Sequence, residues 1–123
     1  MKILIVEDSM LYRKAIVKYL KKFLPEAEFT LANDGEAGYQ LYQEERPDII
    51  IFDLLMPKMT GQELLTKIRD DDHQTKAVVI SADVQKIVKK EMEDLEIIDF
   101  INKPFNEEKA EELAKLLKEQ KYA

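Results

Sequence analysis

The run Ile49-Ile50-Ile51-Phe52, closed by Asp53, constrains the fold more than any other stretch of the sequence. Consecutive large apolar residues without alternation suit a strand buried on both faces, as in a parallel sheet covered by helices on either side. An acid ending such a run is costly to bury without a partner. Similar runs recur at Ile3-Leu4-Ile5-Val6, Ala77-Val78-Val79-Ile80 and Ile97-Ile98-Asp99-Phe100-Ile101. Ala27-Glu28-Phe29-Thr30-Leu31 alternates instead, as a half-exposed strand does. The first, third and fourth strands are therefore expected at the centre of a sheet. The second, and the fifth with its internal Asp99, belong at the edges.

Between the strands the period becomes helical. Ser9 is placed to cap a helix running to about Leu24, where Pro25 ends it. Leu11, Ala15, Ile16, Tyr19 and Phe23 are read as its apolar side. Arg13, Lys14, Lys18, Lys21 and Lys22 lie mostly on the other side, which serves equally well as a docking face for an acidic partner or as an ordinary solvated surface. Asn33-Asp34-Gly35 is a turn opening a second helix that stops before Arg46-Pro47. A third helix follows Thr60-Gly61 to about Arg69, and a fourth is expected from Asp83 to Asp94. Asn106 caps the fifth, with Glu107 and Glu108 in its first turn, where the helix dipole favours them. The acidic run Asp70-Asp71-Asp72-His73 reads as a solvated loop.

Five strands alternating with five helices give one domain over residues 1–123, a doubly wound α/β fold of flavodoxin-like (βα)5 type. With strands two and five at the edges and right-handed crossovers, the simplest sheet order is 2-1-3-4-5. That order reverses between strands one and three, and ligands of such sheets sit at the strand carboxyl ends flanking the reversal.

Composition narrows the chemistry at that place. With 19 Lys plus Arg against 25 Asp plus Glu, the formal charge is −6, which argues against a nucleic-acid or anionic-membrane binder. Zero Cys and one His exclude a disulfide scaffold, a zinc-thiolate site, a thiol nucleophile and a multi-histidine metal centre. Three Gly residues rule out most glycine-rich nucleotide loops. The first apolar run is too short for a signal-peptide core or a membrane span, which points to a cytoplasmic protein.

The carboxyl ends of the strands are chemically specific. Glu7-Asp8 come after the first, Asp53 closes the third, Ser81 closes the fourth, and Lys103 comes just after the fifth. Strands one and three as neighbours, about 4.8 Å apart, bring Asp8 and Asp53 close. Crowded carboxylates repel unless they take up a proton or hold a cation. An all-oxygen donor set suits a hard ion: Mg²⁺, with Mn²⁺ or Ca²⁺ as alternatives. A lysine and a hydroxyl beside that ion complete a pocket for a phosphoryl group. Taken singly, each residue also reads as an ordinary loop acid, helix cap or surface lysine; the four positions at one sheet end carry the inference together.

These residues give the chain a resemblance to response-regulator receiver domains of the chemotaxis type, over essentially the whole family unit. The resemblance rests on Ile5-Val6-Glu7-Asp8-Ser9, on Pro47 through Pro57 around Asp53, and on Gly61, Ser81-Ala82 and Lys103-Pro104-Phe105 in order and at family spacing. It implies that Asp53 accepts a phosphoryl group from the phosphohistidine of a histidine kinase or phosphotransfer protein. Asp8, Asp53 and the backbone carbonyl of Leu55 are implied as Mg²⁺ ligands, with Glu7 acting through water. Lys103 is implied to pair with the phosphoryl oxygens, Ser81 to move toward them, and Phe100 to turn as Ser81 moves. The Lys103-Pro104 bond is implied to be cis. The helix 4, strand 5, helix 5 face would then be read by a downstream protein target.

The sequence departs from the family in three places. Leu95-Glu96-Ile97-Ile98 is the stretch before strand five where many receivers carry a Gly-Ala pair, Phe100 replaces the commoner tyrosine, and Leu55 is apolar where some fast-hydrolysing members are polar. The implied protein is a stand-alone phosphorylation switch rather than a turnover enzyme. The competing readings are a receiver-like interaction module that works without phosphorylation, and a haloacid-dehalogenase-type phosphatase. The phosphatase needs a second acid at the position of Leu55.

Overall fold

A computed structural model describes residues 1–82 and 85–121. Chain order gives β1 (Lys2–Val6), α1 (Met10–Phe23), β2 (Glu28–Ala32), α2 (Gly35–Glu45), β3 (Ile49–Phe52), α3 (Gly61–Arg69), β4 (Lys76–Ser81), α4 (Lys86–Asp94), β5 (Asp99–Asn102) and α5 (Glu107–Lys121). The strands form one parallel sheet in the order β2-β1-β3-β4-β5. The expected topology is the observed one. The unbroken apolar runs lie at the centre because both their faces are covered: Ile49 through Phe52 are all buried.

Alternate residues of each central strand feed two cores. Ile3, Ile5, Ile51, Val78 and Ile80 meet Ile16 and Leu20 of α1 and Leu113 and Leu117 of α5 on one face. Leu4, Val6, Ile50, Phe52 and Val79 meet Tyr42 of α2 and Leu64, Leu65 and Ile68 of α3 on the other. The caps are largely those read from the sequence. Ser9 Oγ accepts from the Tyr12 amide, Asn106 Oδ1 accepts from the Lys109 amide, and Thr60 forms a reciprocal capping box with Glu63. In the Asn33-Asp34-Gly35 turn the cap is Asp34, which accepts from the Ala37 amide.

Three details differ from the sequence reading. Leu11 is 79% exposed, and Leu20 takes its place in the core. Five residues separate Leu11 from Ile16 along the helix, which at 3.6 per turn turns Leu11 about 140° away from the buried stripe. β5 begins at Asp99; Ile97 and Ile98 precede it, half-buried in the turn from α4. The described part of α4 starts at Lys86, and the Asp83 start lies outside the described residues.

The third difference is the acidic run, which is not simply solvated. Asp72 Oδ2 accepts from Tyr42 Oη at 2.6 Å and from Thr75 Oγ1 at 2.6 Å, while its Oδ1 accepts from the amides of Gln74 and Thr75. Burial pushes Asp72 up, but the Thr75 and Tyr42 hydroxyls and the two amides outweigh it and hold the carboxyl well below its ordinary value. The Tyr42 phenol moves the other way, to about 12, through burial and then through Asp72.

Arg69 extends this network to the α4–β5 turn. It is buried, and its guanidinium donates to the carbonyls of Leu95 (2.8 Å), Asp72 (3.0 Å) and Glu96 (3.1 Å). Glu96 has φ 64, the left-handed region that favours glycine. Arg69 on its carbonyl and His73 Nδ1, 2.8 Å from its carboxylate, hold it there. This is how the chain manages without a glycine at that turn.

Candidate functional site

Backbone bonds aim the functional residues before any side chain does so. The Asp53 amide donates to the Val6 carbonyl at 3.1 Å, extending the β1–β3 ladder by one residue and placing Asp53 beside Glu7 and Asp8. The Glu7 amide donates to the Ala32 carbonyl at 3.1 Å, which ties the acidic loop to β2 as well. The Lys103 amide donates to the Ser81 carbonyl at 3.0 Å, so β4 and β5 end together and Lys103 starts from the same sheet end. The Lys103–Pro104 peptide is cis.

Gly61 is required by its surroundings. A Cβ there would lie 2.5 Å from the Asp53 carbonyl oxygen and 2.8 Å from Leu54 Cα, so α3 starts against the backbone that carries Asp53. Its amide donates to the Leu54 carbonyl at 2.9 Å and fixes the loop between them.

The side chains converge on a single ammonium. Lys103 Nζ lies 2.7 Å from Glu7 Oε1 and 2.8 Å from Asp53 Oδ2. The Lys103, Glu7 and Asp53 side chains are 13%, 2% and 7% exposed respectively, so this is an ion triad largely removed from water. Oxygens of Glu7, Asp8 and Asp53 all lie within 4.8 Å of one another, and Asp8 is exposed at the mouth. Glu7 Oε2 accepts the Ser9 amide at 3.0 Å, while Asp53 Oδ1 accepts the Leu55 amide at 3.3 Å. Ser81 is fully buried, Phe100 is half-buried, and Leu55 is 63% exposed beside the acid.

Electrostatics reflect that burial. Glu7 is raised above the ordinary carboxylate value, first by burial and then by Asp8, against the lowering effect of Lys103 and the Ser9 amide. Burial alone would lower the Lys103 ammonium; the hydrogen bond to Asp53 and the close carboxylates of Asp53 and Glu7 override it, and the net shift is upward. Glu7 Oε1 is buried and sits close to Lys103 without the angles of a directed hydrogen bond, so it keeps acceptor capacity to spare. An acceptor left over among oxygen-only donors fits a hard divalent cation and its bound water.

Two neighbours carry no sequence mark of belonging to this site. Arg13, by its spacing a member of the outer basic face, turns inward: its Nη1 donates to the carbonyls of Glu7 at 2.7 Å and Asp8 at 3.1 Å. Tyr12 places its ring centroid 4.1 Å from Lys103 Nζ. The Ser9 cap signals where α1 starts, but the partner of Tyr12 lies most of the chain away.

Comparison with known proteins agrees with this geometry. Residues 3–117 match the family described as response regulator receiver domain. The chemotaxis protein CheY of Listeria monocytogenes is 33% identical over 108 residues, covering 85% of this chain and 87% of its own. A protein-glutamate methylesterase/protein-glutamine glutaminase of Koribacter versatilis is 35% identical over 105 residues, 84% of this chain. The match spans 29% of that relative's length. Among solved structures, the N-terminal domain of an uncharacterized Wolinella succinogenes protein superposes with a TM-score of 0.87 at 31% identity, covering 99% of this chain and 94% of that one.

Proposed function

This chain belongs to the response regulator receiver family, and on that premise we propose that it is a two-component phosphorylation switch in which Asp53 takes a phosphoryl group from the phosphohistidine of a histidine kinase or phosphotransfer protein. One observation carries the reading: a buried carboxylate at a strand end, held by an ammonium 2.8 Å away and flanked by two further carboxylates. A purely structural ion pair has no use for the extra acids.

An oxygen of Asp53 attacks phosphorus, the P–N bond to the imidazole breaks as the new P–O bond forms, and the leaving imidazole keeps the electron pair and takes a proton. The product is an acyl phosphate in which Asp53 has given up its own charge and carries nearly two more on the phosphoryl group. Lys103 holds those oxygens, with Arg13 keeping the acidic loop in register beneath them. Asp8, Asp53 and the Leu55 carbonyl would hold Mg²⁺, with Mn²⁺ able to substitute, and Glu7 would act through a bound water. The ion supplies charge neutralisation for the transferring group.

Ser81 offers the phosphoryl a directional donor from the adjacent strand end, and its displacement makes room for Phe100 to turn inward. The face of α4, β5 and α5 then presents a different surface to a downstream protein, a population shift driven by the phosphoryl. In this reading the domain occupies residues 1–123, acts in the cytoplasm and turns over no separate substrate. No described helix is long and apolar enough to cross a membrane.

Incubation with acetyl phosphate and Mg²⁺ tests the proposal. One phosphoryl group per chain, absent from Asp53→Asn, is the expected result. An unmodified chain would leave the phosphorylation-independent interaction module as the better reading.

A further inference from the structure

Three large side chains open α1, and they divide sharply. Met10 and Leu11 are 59% and 79% exposed, whereas Tyr12 turns inward and is half-buried. Its amide is held by Ser9 Oγ at 3.3 Å, and its neighbour Arg13 is fixed on the Glu7 and Asp8 carbonyls, so the first turn of α1 is anchored on both sides of Tyr12. The ring that this turn presents faces Lys103 Nζ at 4.1 Å from the centroid.

We infer that Tyr12 is a positioning residue for Lys103: its ring face holds the ammonium at the phosphoryl site, both before and after Asp53 is modified. The inference rests on the phosphoacceptor reading of Asp53. Lysine is a point charge on a flexible four-carbon stem, and by itself it defines no position. In the structure its directed hydrogen bond goes to Asp53 Oδ2. Phosphorylation of Asp53 removes that carboxylate charge and asks the ammonium to shift onto the new oxygens. A hydrogen bond is lost in such a shift because it is directional. Attraction to a ring face is broad in angle and persists. Lys103 is also largely shielded from water, which makes a cation–π contact count for more than it would on an exposed surface. Aromatic character, rather than the phenol hydroxyl, is what the role requires.

The test compares Tyr12→Phe and Tyr12→Leu with the natural chain for the rate of Asp53 phosphorylation by acetyl phosphate and Mg²⁺. Tyr12→Leu should be slower by about three- to thirtyfold, the span of one cation–π contact from exposed to fully shielded, and Tyr12→Phe should stay within about twofold. In a Lys103→Met background Tyr12→Leu should cause no further loss, because there is no ammonium left to position. Tyr12→Leu as fast as the natural chain, Tyr12→Phe as slow as Tyr12→Leu, or equal slowing in the Lys103→Met background would each overturn the inference. A second measurement needs no phosphoryl donor. Nuclear magnetic resonance should show the Lys103 Cε protons shifted upfield by the ring in the natural chain and in Tyr12→Phe, and unshifted in Tyr12→Leu. No upfield shift in the natural chain removes the contact itself. If the natural chain takes up no phosphoryl group yet shows the shift, the phosphoacceptor reading fails while the Tyr12–Lys103 contact stands.

Discussion

Replacing Lys103 with Met leaves Glu7 and Asp53 side by side without the cation that separates them. Both carboxylates are nearly buried, at 2% and 7% side-chain exposure, and each lies under 3 Å from the ammonium that would be lost. Taking one partner from a buried ion pair costs about 3–5 kcal/mol, chiefly because the remaining charge has no compensation. In a domain of this size that lowers the melting temperature by about 10–20 °C at pH 8. The deficit must depend on pH in one direction. Glu7 is already raised by burial, and losing Lys103 removes an influence that lowers it, so its folded value climbs further above the unfolded value of about 4.3. A group raised on folding contributes stability that is fully present below its unfolded value and lost as pH rises through its folded one. Thermal melts of both proteins in chelator between pH 5 and 8 should therefore show the deficit shrinking on acidification. Mg²⁺ at neutral pH should shrink it too, by supplying the missing cation. A deficit that stays flat across this range, or grows toward pH 5, would refute the triad electrostatics.

Three further outcomes are expected. Arg69→Met strips three carbonyls of a buried guanidinium and should cost about 2–4 kcal/mol, seen as a lower denaturant midpoint with the loop before β5 losing amide-exchange protection first. The depressed Asp72 carboxyl contributes stability that is present above about pH 4 and lost as pH falls toward its folded value. The melting gap between the natural chain and Asp72→Asn should therefore be constant from pH 5 to 8 and close in acid. Leu55→Asn replaces an exposed apolar cover beside Asp53 with a group able to orient water. The phosphorylated form should then hydrolyse faster, and an unchanged or slower rate would show that Leu55 shields nothing.

The sheet is legible in the sequence because parallel strands buried on both faces announce themselves as unbroken apolar runs, and the alternating β2 and acid-containing β5 fit only at the edges. The strand-end positions of Glu7, Asp8, Asp53, Ser81 and Lys103 come from the same pattern, since topology alone gathers strand carboxyl ends. Side-chain direction does not. Arg13 resembles one more surface cation because its partners are backbone carbonyls, which carry no sequence signal. Leu11 falls on the wrong side because a generous apolar stripe hides the phase of α1. Asp72 looks solvated in sequence because the Tyr42 hydroxyl that draws it inward belongs to α2, 30 positions away; only Thr75, three positions on, is a local partner. The departure in Leu95-Glu96-Ile97-Ile98 is visible as an irregularity, and its remedy, Arg69 reaching across 26 and 27 positions, is not.

The central claim is that Asp53 is the residue that becomes the acyl phosphate. Borohydride trapping addresses it at the residue itself, because reduction converts an aspartyl phosphate to homoserine. After treatment with a phosphoryl donor and Mg²⁺, peptide sequencing should find homoserine at position 53 and nowhere else, and none when Mg²⁺ is chelated. Homoserine at another acid, or none with donor and Mg²⁺ present, would contradict the account.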